Sequence, residues 1–139
     1  TLMGLAKTPE AYRCGIAWVG VSDMTLLFSA HWSDVSQVAK KYSMKELVGD
    51  PEKDRAMLTS NSPINLAERM KAPLLLAYGG MDRRVPLEHG EGMRAALRKA
   101  GKEPEWVVYP SEGHGWNFPE TKQDFWKRVE AFLARHLAP

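Results

Sequence analysis

A single cysteine, Cys14, excludes an internal disulfide and any metal site built from several thiolates; it permits a reducing compartment such as the cytoplasm without fixing one. Long apolar runs are also missing. None approaches the roughly 20 residues that cross a bilayer, so no membrane-spanning segment is expected. Neither sign of charge dominates: 19 basic and 17 acidic residues leave a net charge of +2 with no block of like charge. A phosphate-neutralising or anionic-membrane surface is therefore not expected. His31, His89 and His136 stand singly, without the spacing of metal ligands, so neither a metal nor a cofactor is expected. Trp32, Trp106, Trp116 and Trp126 are too dispersed for a nucleic-acid stacking platform.

What is present is a chain of 139 residues, 44% apolar, enough for one layered domain or part of one. Thr1 to Lys7 reads as the middle of an apolar helix with no capping residue ahead of it, so the chain is expected to begin inside an element. Short apolar runs predict strands near 15–19, 74–79 and 105–109. Helical patterns lie between them, at Met24 to Trp32, Val35 to Val48, Leu87 to Ala100 and Lys122 to Leu137, with Gly101 as a stop. The stretch from Gly49 to Pro73, with its Asn61-Ser62-Pro63 turn, reads as a surface excursion. Strands alternating with helices predict parallel β-α-β units in an α/β fold.

In open parallel sheets, catalytic groups gather in loops at the carboxyl ends of strands. The second strand is followed by Gly79-Gly80-Met81-Asp82-Arg83-Arg84-Val85-Pro86, and the third by Pro110-Ser111-Glu112-Gly113-His114-Gly115-Trp116. The glycines predict compact loops that put Asp82 and His114 at one sheet edge. A carboxylate on one imidazole nitrogen fixes the tautomer and leaves the other nitrogen free to take a proton from a nucleophile. Alone, Asp82 would read as a turn former or helix cap. The pair, in the order acid then base, instead points to nucleophilic catalysis with a serine that comes earlier in the chain.

These two motifs, with Ala96-Leu97-Arg98-Lys99-Ala100-Gly101-Lys102, Tyr12-Arg13-Cys14-Gly15-Ile16-Ala17 and the Ser62-Pro63 turn, resemble the C-terminal part of the prolyl oligopeptidase family of serine peptidases. The resemblance spans nearly the whole chain. It implies the C-terminal part of an α/β-hydrolase three-layer sandwich with a mostly parallel sheet, 1–139 forming a partial catalytic domain. The family's Gly-x-Ser-x-Gly-Gly elbow has no match here and is expected before residue 1. Ser22, in Gly20-Val21-Ser22-Asp23-Met24, mimics the start of an elbow, but Met24 replaces the second glycine and the position comes one strand late. A helix-capping role for Ser22 or Asp23 is the ordinary alternative. Cys14 precedes its strand, at the sheet end opposite Asp82 and His114, and reads as a buried small residue.

By resemblance, Asp82 and His114 are catalytic, the substrate is a short peptide, and a pocket receives Val21, Met24, Leu27 and Phe28, with Val85 facing it. Such a pocket suits an apolar side chain or proline. The same residues at helical spacing also read as core. The implied partners are the peptide and the missing N-terminal portion of the same protein. An unpaired strand edge would favour self-association. The chain alone is expected to be inactive. Because the Asp and His motifs recur in dienelactone hydrolases, a small-molecule esterase is one alternative, and an inactive interaction module is another.

Overall fold

The computed structural model describes residues 1–138, and its centre is a parallel sheet in the order β1 (Gly15–Trp18), β2 (Leu74–Gly79), β3 (Glu105–Tyr109). Ile16 is aligned with Leu75 across one ladder, and Ala77 with Val107 across the other. Every residue of β2 is buried, as a central strand covered on both faces requires. Side chains alternate along it. Leu74, Leu76 and Tyr78 enter one core cluster with Leu2, Leu5, Met93 and Leu97; Leu75 and Ala77 enter another with Val107, Trp116, Phe125, Val129 and Phe132. The first cluster lies under α1 (Leu2–Lys7) and the long helix Glu88–Lys99, the second under the C-terminal helix Pro119–Leu137, giving three layers.

Between β1 and β2 run four short helices: α2 (Leu26–Ser29), α3 (Gln37–Lys41), α4 (Ser43–Leu47) and α5 (Arg55–Ser60). Helix α2 is much shorter than the sequence pattern of 24–32 predicts. Ahead of it Asp23 accepts from the Thr25 amide and hydroxyl, an Asx turn that consumes the first residues of the apolar run. The single helix expected at 35–48 is divided at Tyr42, whose backbone angles (φ −117°, ψ −74°) leave the helical range. Ser36 caps α3 by accepting from the Ala39 amide.

The surface excursion expected at 49–73 is corrected by the structure. Pro63–Arg69 forms a 3-10 helix packed between α1 and the helix after β2, and Leu58, Ala67 and Met70 are buried. Residues 52–57 stay exposed, Met57 included, whereas Leu58, Pro63, Ala67 and Met70 are core material, and the Ser62-Pro63 turn is the entrance to a helix.

The helix after β2, α6 (Glu88–Lys99), ends in the way Gly101 predicts. Gly101 has φ +74°, its amide donates to the Arg98 carbonyl, and the Lys102 amide donates to that of Leu97, a paired 5→2 and 6→1 closure. Helix α7 (Pro119–Leu137) begins three residues before the expected Lys122, with the proline in its first turn where no amide is needed.

Two glycines set the distance between the loops after β2 and β3. A Cβ at Gly79 would lie 2.5 Å from the Glu112 carbonyl oxygen and closer still to that of Gly113; one at Gly80 would lie 2.7 Å from the Pro110 carbonyl oxygen. Neither glycine has a positive φ, so close approach, more than the tight turn, explains them. Gly79→Ala is expected to lower stability by about 1–3 kcal/mol through forced backbone movement. Gly113→Ala, whose added Cβ would meet only the Met81 carbonyl at 3.9 Å, should cost far less. Thermal unfolding of the two variants compares them directly, and equal losses would contradict this account.

Candidate active site

The loop after β2 is folded around one carboxylate. Asp82 is fully buried, and its Oδ1 accepts from the amides of Arg84 (2.8 Å) and Val85 (2.9 Å). Oδ2 is thereby aimed at Nδ1 of His114, 2.9 Å away. The loop after β3 presents that ring on a tight turn, with Gly113 and Gly115 bridged and Gly115 at φ +106°. Because Oδ2 can only accept while Asp82 is ionised, the network assigns the proton to Nδ1 and leaves Nε2 as the acceptor. The His114 side chain is 36% exposed, and among the described residues no hydroxyl is hydrogen-bonded to it. The pair can therefore hold one tautomer and offer a base to a group arriving from outside.

Glu112, in the same loop as His114, has a structural role that its place in the motif does not announce. Its buried carboxylate accepts from the amides of Asn117 (2.8 Å) and Phe118 (3.0 Å), tying the His114 loop to the start of α7. No spacing rule reveals this, since the partners are backbone amides. The neighbouring arginines are engaged as well. Arg83 lies 4.9 Å over the Trp32 ring and Arg84 Nε is 3.4 Å from Asp34, so they brace the loop against the segment before α3.

The residues expected in a substrate pocket divide. Val21 and Met24 line a cavity of about 470 Å³ at the end of β1, together with Leu2, Trp18, Asn61 and Pro63. Leu27 and Phe28 are half-buried outside its wall, and Val85 is buried in the core cluster that also holds Tyr78. Asp82 and His114 are not part of the wall either. One link is Trp18, which stacks at 5.4 Å on Trp116, two residues beyond His114. Ser22 is fully buried and its hydroxyl donates to the His89 carbonyl (2.7 Å), and Asp23 forms its Asx turn, so neither side chain caps α2. Cys14 is half-buried beside the second core cluster.

No group of three or more His, Cys, Asp or Glu side chains that could hold a metal ion occurs among the described residues. Nor, among them, is any helix long and apolar enough to cross a membrane.

Burial raises the Glu112 carboxyl, but the amides of Asn117 and Phe118, together with the Thr121 side chain and the charge of Lys122, outweigh it and hold the group below its ordinary value of 4.5. A depressed carboxyl contributes stability that is complete above the unfolded value and is lost as pH falls through the folded one. Glu112→Gln is expected to cost about 1–3 kcal/mol at neutral pH. It should also flatten the loss of stability below about pH 4.5, which denaturant unfolding across pH would record; an unchanged acid limb would contradict the assignment.

The prolyl oligopeptidase family model matches residues 1–139. The dipeptidyl aminopeptidase BIII of Pseudoxanthomonas mexicana is 35% identical over 99% of this chain, which covers 20% of that protein. A Methylorubrum extorquens protein bearing the name carboxymethylenebutenolidase is 33% identical over 96% of this chain and 45% of its own length. The solved acylaminoacyl peptidase of Pyrococcus horikoshii superposes with a TM-score of 0.86 at 26% identity, over 99% of this chain and 22% of that one. The α/β-hydrolase fold is thus common to both, and this chain spans about a fifth of the length of those peptidases. With its Asp82–His114 pair held at the carboxyl edge of the sheet, the chain belongs to the prolyl oligopeptidase family.

Proposed function

We propose that residues 1–139 are the C-terminal part of a serine peptidase catalytic domain, supplying the acid and base of a Ser-His-Asp triad whose serine lies outside them. The observation that carries this reading is the 2.9 Å contact between Asp82 Oδ2 and His114 Nδ1, with the other carboxylate oxygen fixed by two amides. In the full-length protein the serine attacks a peptide carbonyl and His114 Nε2 takes its proton. His114 then returns that proton to the leaving amine as the acyl-enzyme forms, and water, activated by the same nitrogen, releases the acyl group. Asp82 holds the tautomer and stabilises the imidazolium. Strand β1 is one of the two sheet edges among the described residues, and the earlier part of the hydrolase sheet would pair there.

The cavity beside Val21 and Met24 supports a preference for an apolar side chain or proline at the cleaved bond. Leu27, Phe28 and Val85 would then act behind the wall, as packing that shapes it. The relatives bearing the carboxymethylenebutenolidase name support a second reading, a small-molecule esterase using the same pair.

In the full-length protein, His114→Ala is expected to lower kcat about a thousandfold or more, and Asp82→Asn by a comparable factor, with KM little changed. Steady-state kinetics on aminoacyl amides and simple acyl esters measures both claims. Near-full activity in His114→Ala would remove the triad reading, and ester turnover without amide turnover would select the esterase.

A further inference from the structure

His89 is a fully buried imidazole that the proposed mechanism leaves unused. It stands in the first turn of α6, just beyond the Asp82 loop, and reaches across to the loop after β1. Its Nδ1 lies 3.4 Å from the amide nitrogens of both Ser22 and Asp23. Both amides can only donate, so Nδ1 accepts and the ring's proton is on Nε2, an atom with no partner among the described residues. The Ser22 hydroxyl returns the contact by donating to the His89 carbonyl at 2.7 Å.

The loop held in this way carries the cavity wall. Val19, a β-branched residue at φ +47°, turns the chain out of β1 in a conformation that costs about 1–3 kcal/mol and persists only when its surroundings enforce it. The enforcement is visible. Tyr78 donates to the Gly20 carbonyl (2.7 Å), the Met24 amide donates to Ser62 Oγ (2.8 Å), and the Ile64 amide donates to the Ser22 carbonyl (3.0 Å). The ring nitrogen of His89 is the titratable member of this set near neutrality. A proton on Nδ1 would face two N–H groups and leave two amides without an acceptor.

We propose that His89 is a positioning residue for the cavity loop: its neutral ring docks the Ser22 and Asp23 amides and so places Val21 and Met24, and its protonation undocks them. The placing of substrate rests on the peptidase reading above, whereas the docking of the loop does not. Burial disfavours the charged ring and outweighs the carboxylates of Asp23, Glu88 and Asp82 around it, so the docked ring stays below its ordinary value of 6.5. The released ring takes a proton more readily than the docked one. Docking is therefore complete above about pH 6.5 and weakens as pH falls below it.

The test uses the full-length protein with His89→Asn, whose Oδ1 accepts at the Nδ1 position but does not titrate, and His89→Leu, which has no acceptor. Hydrogen-exchange protection of residues 21–30, corrected for the intrinsic pH dependence, should fall by about threefold or more between about pH 7.5 and 5.5 in the unsubstituted protein. It should stay level in His89→Asn and be low throughout in His89→Leu. KM for an apolar acyl nitroanilide at about pH 7.5 should rise about tenfold in His89→Leu with kcat within about threefold, and His89→Asn should restore it. Equal protection in His89→Leu and the unsubstituted protein at about pH 7.5 would overturn the proposal, as would an acid loss retained in His89→Asn. The exchange pattern as expected, in a protein that turns over no acyl nitroanilide, would support the docking and overturn the peptidase reading.

Discussion

The Gly80 amide donates to the Tyr109 carbonyl at 2.9 Å and the Met81 amide to that of Glu112 at 2.8 Å, and these two bonds fix how closely the loops after β2 and β3 can run. Everything in the candidate site depends on that spacing. A buried carboxylate is stable only if its oxygens are satisfied, so Asp82 uses one oxygen on the amides of its own loop and reaches His114 with the other. The glycines that allow the approach have no other duty the structure shows. Glu112 holds the opposite side of the same loop pair against α7, so the imidazole is presented from a backbone anchored at both ends.

The strands and the two long helices were legible because their signals are local. Leucine-rich and β-branched runs of a few residues mark β2 and β3, a 3.6-residue apolar period marks α6 and α7, and Gly101 marks a helix end. The Asp82 and His114 loops were legible for a different reason, since position after a parallel strand, together with residue type, narrows the chemistry. The stretch from 49 to 73 was misread because a 3-10 helix opening on proline looks like a turn until its neighbours are known.

Buried polar groups whose partners are backbone amides leave no trace in residue spacing, and Glu112 and His89 both belong to that class. The pocket residues were ambiguous in another way. An apolar side chain looks the same in a sequence whether it faces a cavity or a core, and the structure puts Val21 and Met24 on a cavity wall, Val85 in the core, and Leu27 and Phe28 half-buried away from that wall. The family resemblance could name the region without deciding which side chains form its wall.

The central claim is that these residues hold the acid and base of a hydrolase while the nucleophile lies elsewhere. Fluorophosphonate labelling, read by intact mass, tests it most directly, because that reagent reacts with an activated serine. The account predicts labelling of the full-length protein at a serine outside residues 1–139 and none of the isolated 15.6 kDa chain. Labelling at a serine within the 139 residues would contradict it.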